Sequence, residues 1–386
     1  MKVVFFTSTD DCLGGAKSLL ELVEQLKNKG IEIVVINPFR NNLNNKLNEL
    51  RIENYSAGYH LNICKQDNSG LKYILKFIAK YIRYRFYQLR GIYNVDRNVD
   101  FSDVDIIHSN NSVEDIGVYF AKKYQKPHIW HLREFGKEDF NFVYFHKNIG
   151  KYISDNCTTA IAISNAVRES WINKGINTNK IVTICHGVES KGFSIEPIKK
   201  DNKKIKIVFV GAIISTKGQF EFIKALAYMD KEYRDMFELD LFGTVEESYK
   251  LELQEYIVKN DLSDIVFFKG YANNLKEILP TYDIGVVNSR CEAMGRVTIE
   301  YMMSGLCVLA SNRGANSELL ANGVYGYLYE YGNFKSIEQI LKYIAKNREE
   351  CRNIGVKAQK YAFNQLAIEK NVLKYIELYR RCINES

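Results

Sequence analysis

The chain has 386 residues, 26% charged and 46% hydrophobic. This is ordinary globular composition, and at roughly 100–200 residues per domain it implies two or three domains. Four prolines exclude a proline-rich linker protein, and no run reaches the roughly 18 consecutive apolar residues of a spanning helix.

The first apolar stretch, within residues 1–12, is too short for a signal peptide. The eight cysteines are scattered, without a CxxC pair or zinc-type spacing. Reduced thiols and a cytoplasmic setting are the expectation.

In chain order, KVVFFTS (2–8) reads as a strand, 15–28 as a helix and IEIVVIN (31–37) as a strand. Further strands are expected at 104–109, 127–132, 159–164 and 181–185, with helices at 113–125 and 165–174 among them. Such β-α-β alternation, with strands apolar on both faces, predicts a parallel sheet covered by helices. The polar stretch EPIKKDNKK (196–204) reads as a linker, after which the alternation restarts. Strands are predicted at 205–211, 238–243, 264–270, 282–289 and 306–311, with helices near 218–228, 247–259, 296–304 and 335–346. Residues Ala358 to Cys382 read as one long helix. The organisation expected is a domain over 1–190, a linker over 191–204, a second domain over 205–357, and a tail over 358–386 packing back on the first. Two doubly wound halves are expected to present their ligand sites beyond the strand carboxyl ends, at a shared cleft.

The net charge is +7, and most of it is local. From Lys65 to Arg97 there are eight basic residues, opposed only by Asp67 and Asp96. Within that span, LKYILKFIAKYIRYRFYQLR (71–90) has helical apolar spacing with interleaved aromatics. Two readings stand side by side: a helix lying in an anionic membrane interface, and a core-packed helix with a solvated basic face. Nucleic acid is not expected, because no nucleic-acid motif accompanies the charge.

Four segments carry candidate chemistry. In SRCEAMGRVTIEYMMSG (289–305), Glu292 and Glu300 bracket seven residues. Gly295 permits close backbone approach, and the helix from Arg296 onward offers free amides to an anion. A carboxylate accepts two hydroxyl hydrogen bonds from a sugar or ribose diol. In VFVGAIISTKGQFEFIKAL (208–226), a strand ends at Gly211 and Lys217 stands near a helix start, a point charge suited to a diphosphate. The loop 311–329 carries Gly314 and Glu318. In the fourth, Gly14 and Gly15 open the first helix without a G-x-G-x-x-G pattern, which weakens a dinucleotide oxidoreductase reading. The acidic triplet Asp103-Val104-Asp105 reads as a strand edge before it reads as a metal site, and no metal is expected.

At these residues the chain resembles glycosyltransferase family 4, most specifically over 205–330. EAMGRVTIEYMMSG resembles the family's E-x7-E segment, and VGAIISTKG its G-R-x-x-x-x-K-G loop. IAISNAVRESWINKGINTNKIVTICHGVE (161–189) resembles the segment that ends in N-G-V-D. The resemblance implies the GT-B architecture, two Rossmann-like α/β domains facing a central cleft. It implies retaining sugar transfer from a nucleotide sugar, UDP- or GDP-linked, to a glycan or lipid-linked acceptor in cell-surface polysaccharide synthesis. No separate cofactor is implied. Carried over, Glu300 holds the ribose and Glu292 the donor-sugar hydroxyls. Ala293, Met294, Gly295 and Arg296 meet sugar and phosphate, Lys217 neutralises the departing diphosphate, and Gly14 and Gly15 let the first-domain loop approach the phosphates. Gly211 ends the strand before the Lys217 loop.

There are departures. Ala212 stands where the family has Arg, with Arg290 and Arg296 as candidate substitutes, and His186-Gly187-Val188-Glu189 stands at N-G-V-D. The first-domain active-site position falls on His131 or on Arg133, and His131 is equally a buried histidine satisfied by its surroundings. Two other activities fit the same pattern: a nucleotide-sugar epimerase, and a catalytically silent module binding sugar nucleotide or glycan.

Overall fold

The computed structural model describes residues 1–8, 14–65, 70–194 and 203–385. The chain forms two compact units, Met1–His186 with Ile368–Ser386, and Gly187–Ala367.

In the first unit the strands are β1 (Lys2–Phe6), β2 (Glu32–Asn37), β3 (Glu53–Ser56), β4 (Ile63–Lys65), β5 (Ile106–Ser109), β6 (His128–Leu132), β7 (Phe142–Tyr144), β8 (Thr159–Ala162) and β9 (Ile181–Thr183). Seven of them form a parallel sheet in the order β3-β2-β1-β5-β6-β8-β9, and β4 pairs with β7 antiparallel. Central strands such as β5, β6 and β8 are buried along their whole length, with apolar residues on both faces interrupted by the buried His108, His128 and His131. One face packs Val3, Phe5 and Ile33 against the helices Gly14–Asn28 and Ile368–Asn384. The other packs Val4, Phe6 and Ile107 against Val95, Ile116 and Phe120.

In the second unit the strands are β10 (Ile205–Val210), β11 (Phe237–Phe242), β12 (Val266–Gly270), β13 (Ile284–Val287), β14 (Cys307–Ser311) and β15 (Gly326–Tyr329). All are parallel, in the order β12-β11-β10-β13-β14-β15. The order reverses between β10 and β13, so the loops after these two strands diverge to opposite faces and leave a crevice at their carboxyl ends. The Lys217 loop comes after β10 and the Glu292 loop after β13.

One prediction needs correcting. The tail is not a single helix over 358–382 but two, Arg348–Gln365 and Ile368–Asn384, and they belong to different units. Ala367 leaves the helix to form a parallel bridge with Val188, and the Val188 amide donates to the Leu366 carbonyl at 2.9 Å. That pairing ends the first helix without any glycine or proline signal. The predicted linker over 191–204 lies mostly outside the described residues, which omit 195–202.

Candidate functional site

The second unit gathers the site at the turn between β13 and the helix Arg296–Met303. Gly295, at φ +72°, reverses the chain, and among the described residues no side chain caps the helix it opens. Its first amides therefore face the crevice with the partial positive charge of a helix N-terminus.

Lys217 and Glu292 meet there. The Lys217 ammonium lies 3.2 Å from the Ser289 hydroxyl and 3.8 Å from a Glu292 carboxylate oxygen, with both side chains partly exposed. The other Glu292 oxygen accepts the Gly295 amide at 3.2 Å. The Glu292 backbone is itself clamped: its carbonyl accepts the Ala315 amide at 2.7 Å, and a Cβ on Gly314 would strike that oxygen. Asn288 performs the same task for the Lys217 loop, donating to the Gly218 carbonyl at 2.8 Å. Gly218 has φ +74°, and a Cβ there would strike Asn288. The Arg290 amide adds a bond to the Thr216 carbonyl at 3.1 Å. Together these connections hold the β10 and β13 loops in one register.

Glu300 lies one turn into the helix, 4% exposed, and accepts from the Arg296 Nε at 3.1 Å. Of the two candidate substitutes for the arginine missing at Ala212, Arg296 is therefore committed to Glu300, while Arg290 is exposed. Met294 is buried, and Ala293 is half-buried in the turn. Gly211, at φ +151°, donates its amide to the Phe242 carbonyl. A Cβ on the neighbouring Gly243 would strike the Gly211 carbonyl, so two backbones touch at this strand end. Behind the turn, the Tyr301 ring lies over Gly285, and its hydroxyl accepts the Val210 amide at 2.7 Å. Tyr301 and Asn288 carry no motif signal; their role is visible only once β10 and β13 are known to be neighbours.

The first unit has its own polar interior. His131 lies on β6, fully buried. Its Nδ1 is 3.4 Å from His108 Nε2 and its Nε2 is 3.5 Å from the Tyr375 hydroxyl. His108 Nδ1 is 2.7 Å from the Tyr379 hydroxyl. Burial lowers the pKa of His108, His131 and His128, the last to about 4, so all three rings are neutral near pH 7. His131 is thus a buried histidine placed beside His108 and Tyr375. Arg133 comes just after the strand end, with Nε and Nη2 buried and no hydrogen-bond partner among the described residues. Glu134 beside it accepts the Ser112 amide at 2.7 Å and the Ser112 hydroxyl, and burial raises its pKa to about 7. Glu134 and the buried Glu114 were not singled out by motif; the only sequence signal was their place after the ends of β6 and β5. Gly14 and Gly15 are exposed in the first turn of the helix Gly14–Asn28.

Other predicted positions are occupied structurally. Asp103 pairs with the Lys2 ammonium at 3.0 Å, and Asp105 accepts the Lys2 amide at 2.8 Å. Glu189 pairs with Lys276 at 2.9 Å.

Residues 14–191 match the family described as Glycosyltransferase Family 4, and residues 190–361 match Glycosyl transferases group 1. An uncharacterized glycosyltransferase of Methanocaldococcus jannaschii is 25% identical over 288 residues, 70% of this chain and 72% of that protein. The capsular polysaccharide biosynthesis glycosyltransferase CapM of Staphylococcus aureus is 22% identical over 259 residues, 64% of this chain and 67% of that protein. Among solved structures, the Anabaena protein Alr3699/HepE in complex with UDP superposes with a TM-score of 0.80 at 17% identity, covering 99% of this chain and 100% of its own. With two parallel-sheet Rossmann-like domains and matches that span both, the chain is a glycosyltransferase, family-4-like and of the GT-B fold.

Proposed function

We propose that the protein transfers a hexose or related sugar, with retention, from a nucleotide sugar to a glycan or lipid-linked acceptor in cell-surface polysaccharide synthesis, at the cytoplasmic face of the membrane. The observation that carries this is the convergence of Lys217, Glu292 and an uncapped helix N-terminus on one turn. UDP in the solved Anabaena relative favours a uridine donor, and the similarity to CapM favours a polysaccharide product.

Cleaving the bond between the sugar and the diphosphate leaves positive charge on the sugar and negative charge on the leaving group. On this reading Lys217, Arg290 and the amides after Gly295 stabilise the diphosphate, since fixed donors aimed at developing charge supply the largest catalytic term. Glu292 orients the sugar hydroxyls and Glu300 the ribose diol, each carboxylate accepting two hydroxyl bonds. The acceptor hydroxyl attacks from the face the diphosphate leaves, and the departing phosphate oxygen takes its proton. No separate cofactor enters this reading.

A thermal-shift screen of nucleotide sugars identifies the donor, because a ligand that binds only the folded state raises the melting temperature. Release of free nucleoside diphosphate that depends on acceptor supports transfer. Donor consumed without acceptor would favour the epimerase, and binding without any release would favour a silent module.

A further inference from the structure

A tier of buried polar residues underlies the turn from Ser289 to Thr298. Strand β14 ends at Ser311, and Asn316 opens the short helix Asn316–Leu319. Thr298, Ser311 and Asn316 have no exposed surface, and Ser289 is 3% exposed. Polar groups at such depth need partners, and these four partner one another. The Thr298 hydroxyl donates to the Asn316 Oδ1 at 2.9 Å. The Asn316 Nδ2 donates to the Ser311 carbonyl at 3.2 Å, and the Ser311 hydroxyl to the Ser289 carbonyl at 3.0 Å. The Ser289 hydroxyl in turn accepts the Lys217 ammonium at 3.2 Å. One continuous polar chain therefore runs from the first turn of the helix Arg296–Met303 to the cation on the loop after β10.

The same segment supports the turn elsewhere. The Ala315 amide donates to the Glu292 carbonyl at 2.7 Å, and the Leu319 Cδ1 would lie 2.5 Å from a Cβ on Gly295. Residues 311–319 thus touch the donor turn at Ser289, Glu292, Gly295 and Thr298. Packing alone would be served by apolar side chains of equal size. A buried network with its groups paired fixes one geometry instead. Asn316 is suited to the centre of it, because a primary amide offers donor and acceptor in one plane. A carboxylate would lose the donor, and an aliphatic side chain both. Thr298 is the third residue of its helix, so its backbone amide is among the free ones while its hydroxyl is held by Asn316.

We propose that Asn316 is a positioning residue for the donor diphosphate. Through Thr298 on one side, and through Ser311 and Ser289 on the other, it sets the separation between the helix N-terminus and the Lys217 ammonium. Asn316 does not touch the donor; it acts through the groups that do. The inference rests on the donor site proposed above and names what fixes its width. Such spacing matters because a displacement of about 1 Å can cost on the order of 10²-fold.

Titration calorimetry of UDP and GDP into the full chain tests it, the nucleotide that binds the parent being used for the variants. Asn316→Leu removes both side-chain bonds at similar size and should weaken binding about tenfold or more. Thr298→Val is the milder change, in case the first variant fails to fold. It deletes one hydroxyl and should weaken binding about fivefold. Thr298→Ser keeps the hydroxyl and should bind within about twofold of the parent. Packing alone would rank these two the other way, because serine loses a buried methyl group. Combined with Lys217→Ala, Thr298→Val should cost less than the product of the two single losses, since both act on one grip. Equal affinity of the parent and Thr298→Val would overturn the proposal and leave the donor site standing. So would serine and valine variants equally weak, or losses that simply multiply. A parent that binds neither nucleotide would overturn both the proposal and the donor site it rests on.

Discussion

Single side chains decide what the turn after β13 does. Lys217→Ala removes the ammonium assigned to the diphosphate, and loss of one such donor costs about 10²–10³ in rate. Steady-state transfer should fall by that factor with the melting temperature nearly unchanged, since the lysine is partly exposed and its neighbours are polar. Gly314→Ala acts through geometry: φ is +63°, and the new methyl would strike the Glu292 carbonyl. Transfer should drop with the Glu292 loop displaced, and the protein should lose about 1–3 kcal/mol in a denaturation curve. Glu134 gives a pH signature. Its folded pKa of about 7 lies above the ordinary glutamate value of 4.5, so the native state binds the extra proton between those limits. That contribution to stability is present below pH 4.5 and is lost as pH rises through 7. At about 1.4 kcal/mol per unit the change is on the order of 3 kcal/mol. Glu134→Gln should flatten this decline in urea midpoints measured across the window; an unchanged slope would count against it. Lys217, Glu292 and Glu300 were legible in the sequence because glycine turns and a helix start mark them locally. Arg133 was visible only as an alternative to His131, and Glu134 was not singled out, because its character comes from contacts with distant residues such as Ser112 and Trp171.

At the level of elements, periodicity accounts for most helices and strands. The helix predicted over 247–259 is Glu247–Lys259, and that predicted over 335–346 is Phe334–Lys346. The short strands β3, β4 and β7 escape because they are only three or four residues long and depend on pairing. The break at Leu366 escapes because a long-range bridge to Val188 causes it. The helix beyond that break, Ile368–Asn384, matters for stability, because its Tyr375 and Tyr379 are buried in the first unit's core. Tyr379→Ala should cost about 3–5 kcal/mol, as for other large aromatics. Tyr379→Phe, which keeps the ring and loses only the hydroxyl near His108, should cost about 1 kcal/mol. Chemical denaturation separates the two, and equal costs would place the hydroxyl rather than the ring at the centre of that packing.

For the molecule as a whole, alternation of strand and helix predicts two parallel α/β units, and the structure has them. The order of strands within each sheet has no local signature, yet it is what puts the Lys217 and Glu292 loops side by side. Much of the net charge of +7 is concentrated on one element, the helix Leu71–Asn98. Among the described residues no helix is long and apolar enough to cross a membrane. The central claim is that the second unit grips a nucleoside diphosphate between Lys217 and the helix beginning at Arg296. Titration calorimetry of UDP and GDP into the full chain and its Lys217→Ala variant tests it most directly. One of the two nucleotides should bind the parent and bind the variant roughly tenfold or more weakly, the value of a charged hydrogen bond. Binding of equal strength to both proteins, or to neither, would contradict it.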